Sequence, residues 1–595
     1  MFHIKDHKTP YIFDPFVFLG PKRRQMLDRS WAKLFREEIL LELPVRLLEK
    51  HYHPVHGRPT KELYAMLGVM VLQQQHNLTD EETVLRVAFD IQWHYALDIA
   101  GDGDDCAYIS LKTLWTMRDI MTEHNLYTPV FEGVTDKIAR ILPVDLEKQR
   151  QDSMHIFSNM RHLGRIRLFA TTIRKFLVNL KRKLPELFAS IESELTRRYL
   201  SKSVESTFAG VKPAESAKTL ESLGIDLFSL ITRFKNNTQV TGMSSYALLV
   251  RLLTEQCTVS DDPAAQTSKV SVKPNKEVPS DSLQNPSDPD AGYSGHKGQG
   301  YQVQIMETYN ADKENPSLSL ITHVAVEPAH KSDANAAIPA IADTQARNLG
   351  PKEALMDTTY GSDENCQTAA GMGVTIISPV AGKDAGNGLT LADFTISETG
   401  IITACPEGKA PVTVKLPEES PDQPAGQDQP RCAVFNSETC ANCPRAKECT
   451  VEPGKKAHYL HYNDKAIRLA NRRAFEKTPA WREKYRFRAG IEGSLSAYDR
   501  RTGVKYLRVR GLAAISFCAV LKAAAINILR AVAFKNRQNE GGNRLETVNP
   551  ILNPASWQVF KIFKERALSY CNNLLERFYQ LQLNSHLGLY AQFDF

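Results

Sequence analysis

The sequence predicts a multidomain α plus α/β protein: a helical N-terminal domain, then a mixed sheet interrupted by a helical and a cysteine-rich insertion. Three observations predict it. Apolar residues recur three and four apart through most of residues 20–140, the period of an amphipathic helix. Further on, GYQVQIMETY and SLSLITHVAVEP alternate like paired strands, and a helical ANAAIPAIADTQARNL and the strand-like EALMDTTYG follow. Finally, 595 residues exceed the size at which one hydrophobic core keeps growing.

Taken in order, residues 1–140 form the helical domain, a candidate DNA-binding module. Thr79 before DEETVLRVAF, with Glu82 three residues on, is a capping-box start signal. Residues 141–157, ILPVDLEKQRQDSMHIF, are short and bounded by proline, as a first strand of the sheet would be. Residues 158–257 return to helical periodicity with many Arg and Lys, either a solvated face or one turned to DNA. Residues 258–287, within a polar Ser/Pro/Asp/Lys stretch that runs to Gly300, are expected to be a flexible linker. Residues 288–380 carry the remaining strands, including GVTIISPV. Strands, a helix, then a strand ending at Asp357 is the order of a ribonuclease-H-like sheet. Residues 381–460 are the cysteine-rich insertion, 461–535 the closing helices of the core and 536–595 a helical tail.

Composition is that of an ordinary globular protein, 42% hydrophobic and 24% charged, with a net charge of only +6. Phosphate responds to patches rather than totals, and residues 464–510 hold fourteen Lys and Arg against five Asp and Glu. The apolar run from Leu512 is long enough for a membrane span but contains Lys522, Asn527 and Arg530, so a buried core helix is expected. The N-terminal MFHIKDHKTPYIFDPF lacks the pattern of a secretory signal, which predicts a protein that stays in the cell. SGHKGQGYQ lacks the preceding strand and the Lys-Ser/Thr ending of a phosphate loop.

Asp357 ends an apolar strand, where a carboxylate projects into a crevice; an Asp there also begins turns or caps helices. Tyr485, Arg488 and Glu492 are three and four apart and share a helical face, on which Arg and Glu could equally be a plain ion pair. Several further motifs stand in order around these residues: GRPTKELYAMLGVMVLQ, LTDEETVLRVAFDIQWHYAL, QDSMHIFSNMRHLGRIRLF, SDPDAGYSGHKGQGYQVQ, LMDTTYGSDEN and YRFRAGIEGSLSAYDRRTG with LRVRGL. Together they resemble DDE transposases of bacterial insertion sequences, in particular the eleven-eighty-two-like group of the IS-four and IS-five clan, over nearly the whole chain.

The resemblance implies a catalytic triad of Asp152, Asp357 and Glu492 holding two Mg²⁺ or Mn²⁺ ions, with Asp288 in SDPDAG the rival for the first position. It implies cleavage of double-stranded DNA at element ends and strand transfer, a homodimer in a synaptic complex, and a cytoplasmic, nucleoid-associated protein. Tyr485, Arg488, Arg500, Arg501, Arg508 and Arg510 are the candidate DNA contacts. The family places a cation seven residues beyond the Glu, where this chain has Asp499. An acid aimed at phosphate would repel it, which keeps open a catalytically inactive DNA-binding derivative; a nuclease without strand transfer is a third reading.

Cys405, Cys440, Cys443 and Cys449 have the spacing of a tetrahedral Zn²⁺ site with Cys432 spare, or are reduced thiols in a loop. Four thiolates leave no open position, so such a zinc would be structural, in a zinc-ribbon-like insertion. Cys106, Cys257, Cys366, Cys518 and Cys571 are scattered and read as reduced core residues. His155 and His162 near Asp152, and His296, are either metal ligands or bases or, as isolated histidines more often are, packed or surface residues.

Overall fold

Along the chain the first eight strands are β1 (Lys148–Phe157), β2 (Cys257–Asp262), β3 (Thr267–Val272), β4 (Gly292–Ser294), β5 (Gly298–Thr308), β6 (Ile321–Pro328), β7 (Glu353–Leu355) and β8 (Thr375–Ile377). In this computed structural model the described residues are 2–57, 59–101, 103–201, 211–262, 267–312, 314–382, 388–416 and 429–540. The expected tail beyond residue 540, with Cys571, and the proline-rich run 417–428 lie outside them. Residues 1–534 form one compact unit.

The central sheet has the order β5–β1–β7–β8, with β4 and β6 both on the outer side of β5. β1 is antiparallel to β5 and parallel to β7, and β7 is parallel to β8. That mixed order is the one expected of a ribonuclease-H-like sheet. Imperfect alternation in QRQDSMHIF has a physical cause: β1 is covered on both faces. Met154 and Ile156 enter the main core, while Gln149 and Gln151 stay buried by donating to the carbonyls of Leu349 and Ala336.

The N-terminal helices do not close a core of their own. Helix Leu63–Gln75 is buried around most of its circumference, and its side chains share one cluster with Met154, Ile156, Val303, Ile305 and the helix Leu512–Glu540. The expected helical domain is therefore one layer on the sheet rather than a separate module. Its Thr79–Glu82 capping box forms as the sequence predicts, Thr79 N donating to Glu82 and Glu82 N to Thr79.

The Leu512 helix is a core helix, its apolar window 78% buried. The polar residues that interrupt its apolar run are bonded: Asn527 both accepts from the Ile321 amide (2.9 Å) and donates to the Ile321 carbonyl (2.8 Å), Lys522 donates to Thr502 O (2.7 Å) and Asn77 Oδ1 (2.9 Å), and Arg530 donates to Glu307.

The helical insertion builds its own core from Phe169, Phe176, Leu227, Phe234, Leu249 and their neighbours. The segment 258–287 departs from the flexible linker expected of it. It contains the β2–β3 hairpin, and Ser282, Leu283 and Asn285 are buried. Its composition hides this because the order comes from neighbours: Arg165, Lys175 and Arg251 donate to its carbonyls at Lys273, Pro286 and Asp281. The cysteine-rich region folds as β9 (Thr395–Ile396), β10 (Ile402–Ala404), β11 (Thr413–Lys415), β12 (Arg431–Phe435), β13 (Glu452–Pro453) and β14 (His458–Tyr462), around Phe394, Phe435, Leu460 and Tyr462.

Candidate active site

Arg150 of β1 pairs with Leu355 of β7, so Asp152 and Asp357, each two residues further, leave neighbouring parallel strands at the same level. Such strands lie about 4.8 Å apart, which brings two carboxylates 205 positions apart in sequence to one edge. The third acid comes from helix Gly490–Thr502, whose Ile491, Leu495 and Tyr498 bury into the main core beside β1 and leave Glu492 facing out.

Arg488 joins all three. Its Nη2 donates to Asp152 Oδ2 at 2.9 Å and stands 4.0 Å from Asp357 Oδ2, and its Nη1 donates to Glu492 Oε1 at 3.1 Å. Side-chain exposure runs from 16% for Asp152 and 17% for Arg488 to 49% for Asp357 and 69% for Glu492, so the cluster has a closed floor and an open rim. Burial pushes the Asp152 carboxyl above its ordinary value against the pull of Arg488 and the Ser153 amide, and Asp357 and Asp333 push the same way. Three acids against one guanidinium leave an excess of negative charge.

The supports are specific. Tyr360, buried three residues after Asp357, donates to Gln304 Oε1 of β5 at 2.6 Å, and Gln304 Nε2 in turn donates to Glu327 and Asp333. A Cβ on Gly361 would stand 1.5 Å from Ser378 Oγ, so only glycine lets the Asp357 turn approach β8. Beneath Asp152, the buried Glu307 accepts from Arg150 Nε and Nη2 (2.8 and 2.7 Å) and from Arg530 Nη1 (2.8 Å). Arg150 Nη1 also holds the Phe487 carbonyl at 2.7 Å, fixing the turn that carries Arg488. Sequence reasoning missed Arg150, Glu307, Arg530, Gln304 and Asp333. The signal that could have found two of them is charge inside strand runs, at Arg150 in KQRQDSMHIF and Glu307 in YQVQIMET.

Other predicted residues fall as follows. Asp288 is buried and fully bonded, accepting from Ser158 Oγ, Tyr301 OH and the Gly511 amide; with Asp290, which accepts from Leu512 N, it caps the long apolar helix. It stands apart from the Arg488 cluster. Asp499 accepts from Lys505 N at 3.1 Å and closes the turn after its helix, instead of facing a phosphate. Arg500, Arg501, Arg508 and Arg510 are exposed, Arg510 donating to Asn159. Tyr485 and Arg488 do not share an exposed face. A 3₁₀ turn, Arg486–Ala489, separates the two helices, and Tyr485 stacks on Trp481 at 4.4 Å with its hydroxyl pushed up to about 12 by burial. Some of the cations in 464–510 are held by the fold, Arg468 and Lys484 pairing with Asp363 and Glu353 and Arg472 donating to Gly361 O, while nine of the fourteen are exposed. His155 is buried, whereas His162 packs against Tyr293 and His296 is exposed.

Cys405, Cys440, Cys443 and Cys449 line one cavity of about 190 Å³, and Cys432 lies on β12 away from it. Burial, then the neighbouring sulfurs, push the Cys440 thiol up. Among the described residues no group of three or more His, Cys, Asp or Glu side chains is drawn together closely enough to hold a metal ion as it stands. At the carboxylates, the interposed group is Arg488.

A mixed sheet presenting three acids, two from adjacent parallel strands and one from a following helix, is an arrangement suited to phosphoryl transfer. The comparisons find transposase sequence: residues 404–532 match the family described as Transposase DDE domain, and residues 26–119 match Transposase domain (DUF772). These matches point to DNA transposition as the activity and DNA as the partner. Glu492 and the four cysteines lie inside the first match; Asp152 and Asp357 lie outside both. No curated protein matches the chain significantly.

Proposed function

We propose that the protein is a DDE transposase of the eleven-eighty-two-like group, binding the ends of an insertion sequence as a homodimer on double-stranded DNA in the bacterial cytoplasm. The observation that carries the reading is the meeting of Asp152, Asp357 and Glu492 on Arg488 beside two matches to transposase families. The donor set fits a hard divalent cation, all oxygen with charge in excess, and Asp152, Asp357 and Glu492 would hold Mg²⁺ or Mn²⁺. Two such ions activate an attacking oxygen and stabilise the leaving one in an in-line displacement. Arg488 neutralises the same oxygens in the structure, so its pairing and cation binding compete. Asp152, its carboxyl raised by burial, gains most from a second positive partner.

Asp499 accepts from Lys505 N and pairs with its ammonium, which supports reading it as a turn-closing residue and favours the active enzyme over an inactive derivative. The four thiols around one cavity suit a structural Zn²⁺, which would staple a region whose own core is small.

The test is a strand-transfer assay on duplexes copied from the DNA flanking the gene, with Mg²⁺ or chelator, beside Asp357→Asn. Joined products should require both the metal and Asp357, while the variant keeps end binding. Joining by Asp357→Asn at the parent rate would refute the assignment.

A further inference from the structure

We infer that the helical insertion between β1 and the rest of the sheet is the main phosphate-binding surface of the protein, and that its occupant is duplex DNA; the inference rests on reading the chain as a DNA-acting protein. The charge balance is the first support. Residues 158–257 hold sixteen Lys and Arg against eight Asp and Glu, a net of +8, whereas the whole chain is +6. Everything outside the insertion therefore sums to −2. The N-terminal layer, residues 1–140, has seventeen Lys and Arg against twenty Asp and Glu and is itself negative. Phosphate affinity comes from local cation density, which the insertion carries over a unit with its own core and which the exposed arginines behind Glu492 extend.

The second support is placement. Between Ser158 and Pro185 there are eight Lys and Arg and no Asp or Glu. Helix Arg165–Lys183 buries Leu168, Phe169, Ile173, Phe176, Leu177 and Leu180 in the insertion core. Arg167, Arg174 and Lys181, seven residues apart, are exposed on its opposite side at successive steps of about 10.5 Å, and Arg182 is exposed beside Lys181. None of the eight cations forms an ion pair among the described residues, although ion pairs are frequent in the rest of the molecule. Several cations are instead held in place by carbonyls, which leaves their charge unneutralised: Arg174 by Tyr199 O and Lys175 by Pro286 O.

The third support is continuity with the candidate active site. The insertion begins directly after β1, the strand of Asp152. At that junction Arg510 donates to Asn159 at 2.9 Å, and the Arg510 charge helps hold the Lys175 ammonium below its ordinary value, after burial. The exposed arginines of the loop behind Glu492 and the basic helix thus form one track, leading away from the end of β1. A duplex whose scissile phosphate lies at the three acids would continue along it.

The experiment uses the full chain and a fluorescein-labelled duplex of arbitrary sequence, with binding followed by anisotropy over a series of NaCl concentrations. Arg167→Gln/Lys181→Gln/Arg182→Gln should bind roughly tenfold or more weakly, and the slope of log K against log salt should fall by about 2–3, near 0.9 for each phosphate no longer neutralised. Lys22→Gln/Arg23→Gln/Lys50→Gln, an equal charge loss on the N-terminal layer, should change both much less. An insertion variant with parental affinity and slope, or an N-terminal variant with the larger loss, overturns the inference. DNA should also protect Lys181 and Lys183 of the parent protein from acetylation, a readout that needs no variant to fold; equal labelling with and without DNA counts against the surface. None of these readouts needs catalysis, so a chain that binds through the insertion yet joins no strands would sink the proposed reaction and leave this inference standing.

Discussion

Glu307→Gln tests the charge lattice beneath the candidate active site. The carboxylate is fully buried, and its two oxygens accept three hydrogen bonds from Arg150 and Arg530. An amide of the same shape keeps one acceptor and turns an NH₂ group toward the other guanidinium, so the buried Arg150 and the half-buried Arg530 lose their counter-charge. Removing one partner from a buried ion network costs about 3–5 kcal/mol. In thermal unfolding this corresponds to a fall on the order of 3–5 °C in a unit of this size. Arg150 also holds the Phe487 carbonyl, so the damage should extend to the turn that carries Arg488, and strand transfer should fall even at temperatures where the variant stays folded. Arg150→Met/Glu307→Leu/Arg530→Met replaces the whole network with apolar groups; it should recover much of the melting temperature and none of the strand transfer. A Glu307→Gln protein that melts within about 1 °C of the parent would show that the lattice does not hold the site.

Two further outcomes follow from particular residues. Lys522 is buried, and desolvation pulls its ammonium down to about 8. Between that value and the ordinary 10.5 the unfolded chain binds more protons than the folded one, so stability should rise with pH across that window, by up to about 3 kcal/mol. Lys522→Met should remove that rise, and urea titrations of parent and variant from pH 8 to 10.5 measure it; parallel pH profiles would contradict the assignment. Gly361→Ala forces the Asp357 turn away from Ser378, and a displacement near 1 Å should cost on the order of a hundredfold in strand-transfer rate with DNA binding preserved. Adding Ser378→Gly should restore part of the rate, and no rescue would mean the turn is held by something other than that contact.

What is legible in the sequence is local. The capping box at Thr79, the polar residues of the Leu512 helix and the strand ending at Asp357 can be read because each depends on residues a few positions apart. Motif order suggests Asp152, Asp357 and Glu492 together, but their meeting depends on the β1–β7 register and on a hydrogen bond between residues 336 positions apart, which no window of sequence contains. Arg488 reads as a DNA contact because periodicity gives a helical face and not what covers it; in the fold three acids do. Asp288 and Asp499 look eligible for chemistry for the same reason, and both are consumed by backbone amides. The segment 258–287 looks like a linker because its composition is polar, yet its order is imposed by arginines and a lysine from elsewhere.

The core shared by the N-terminal helices, the sheet and the Leu512 helix also sets a folding order. β1 must wait for β5, about 150 residues later, and for β7, about 200 later, and the apolar faces of the first helices stay uncovered until the helix near residue 512 has left the ribosome. Contacts of such long sequence separation close slowly. A nascent or prematurely terminated chain would therefore present sticky helices and an unpaired β1 edge, without a working N-terminal half. Such exposed surface makes the incomplete chain prone to aggregation, so its yield of active protein should depend on how well it is shielded until synthesis is complete.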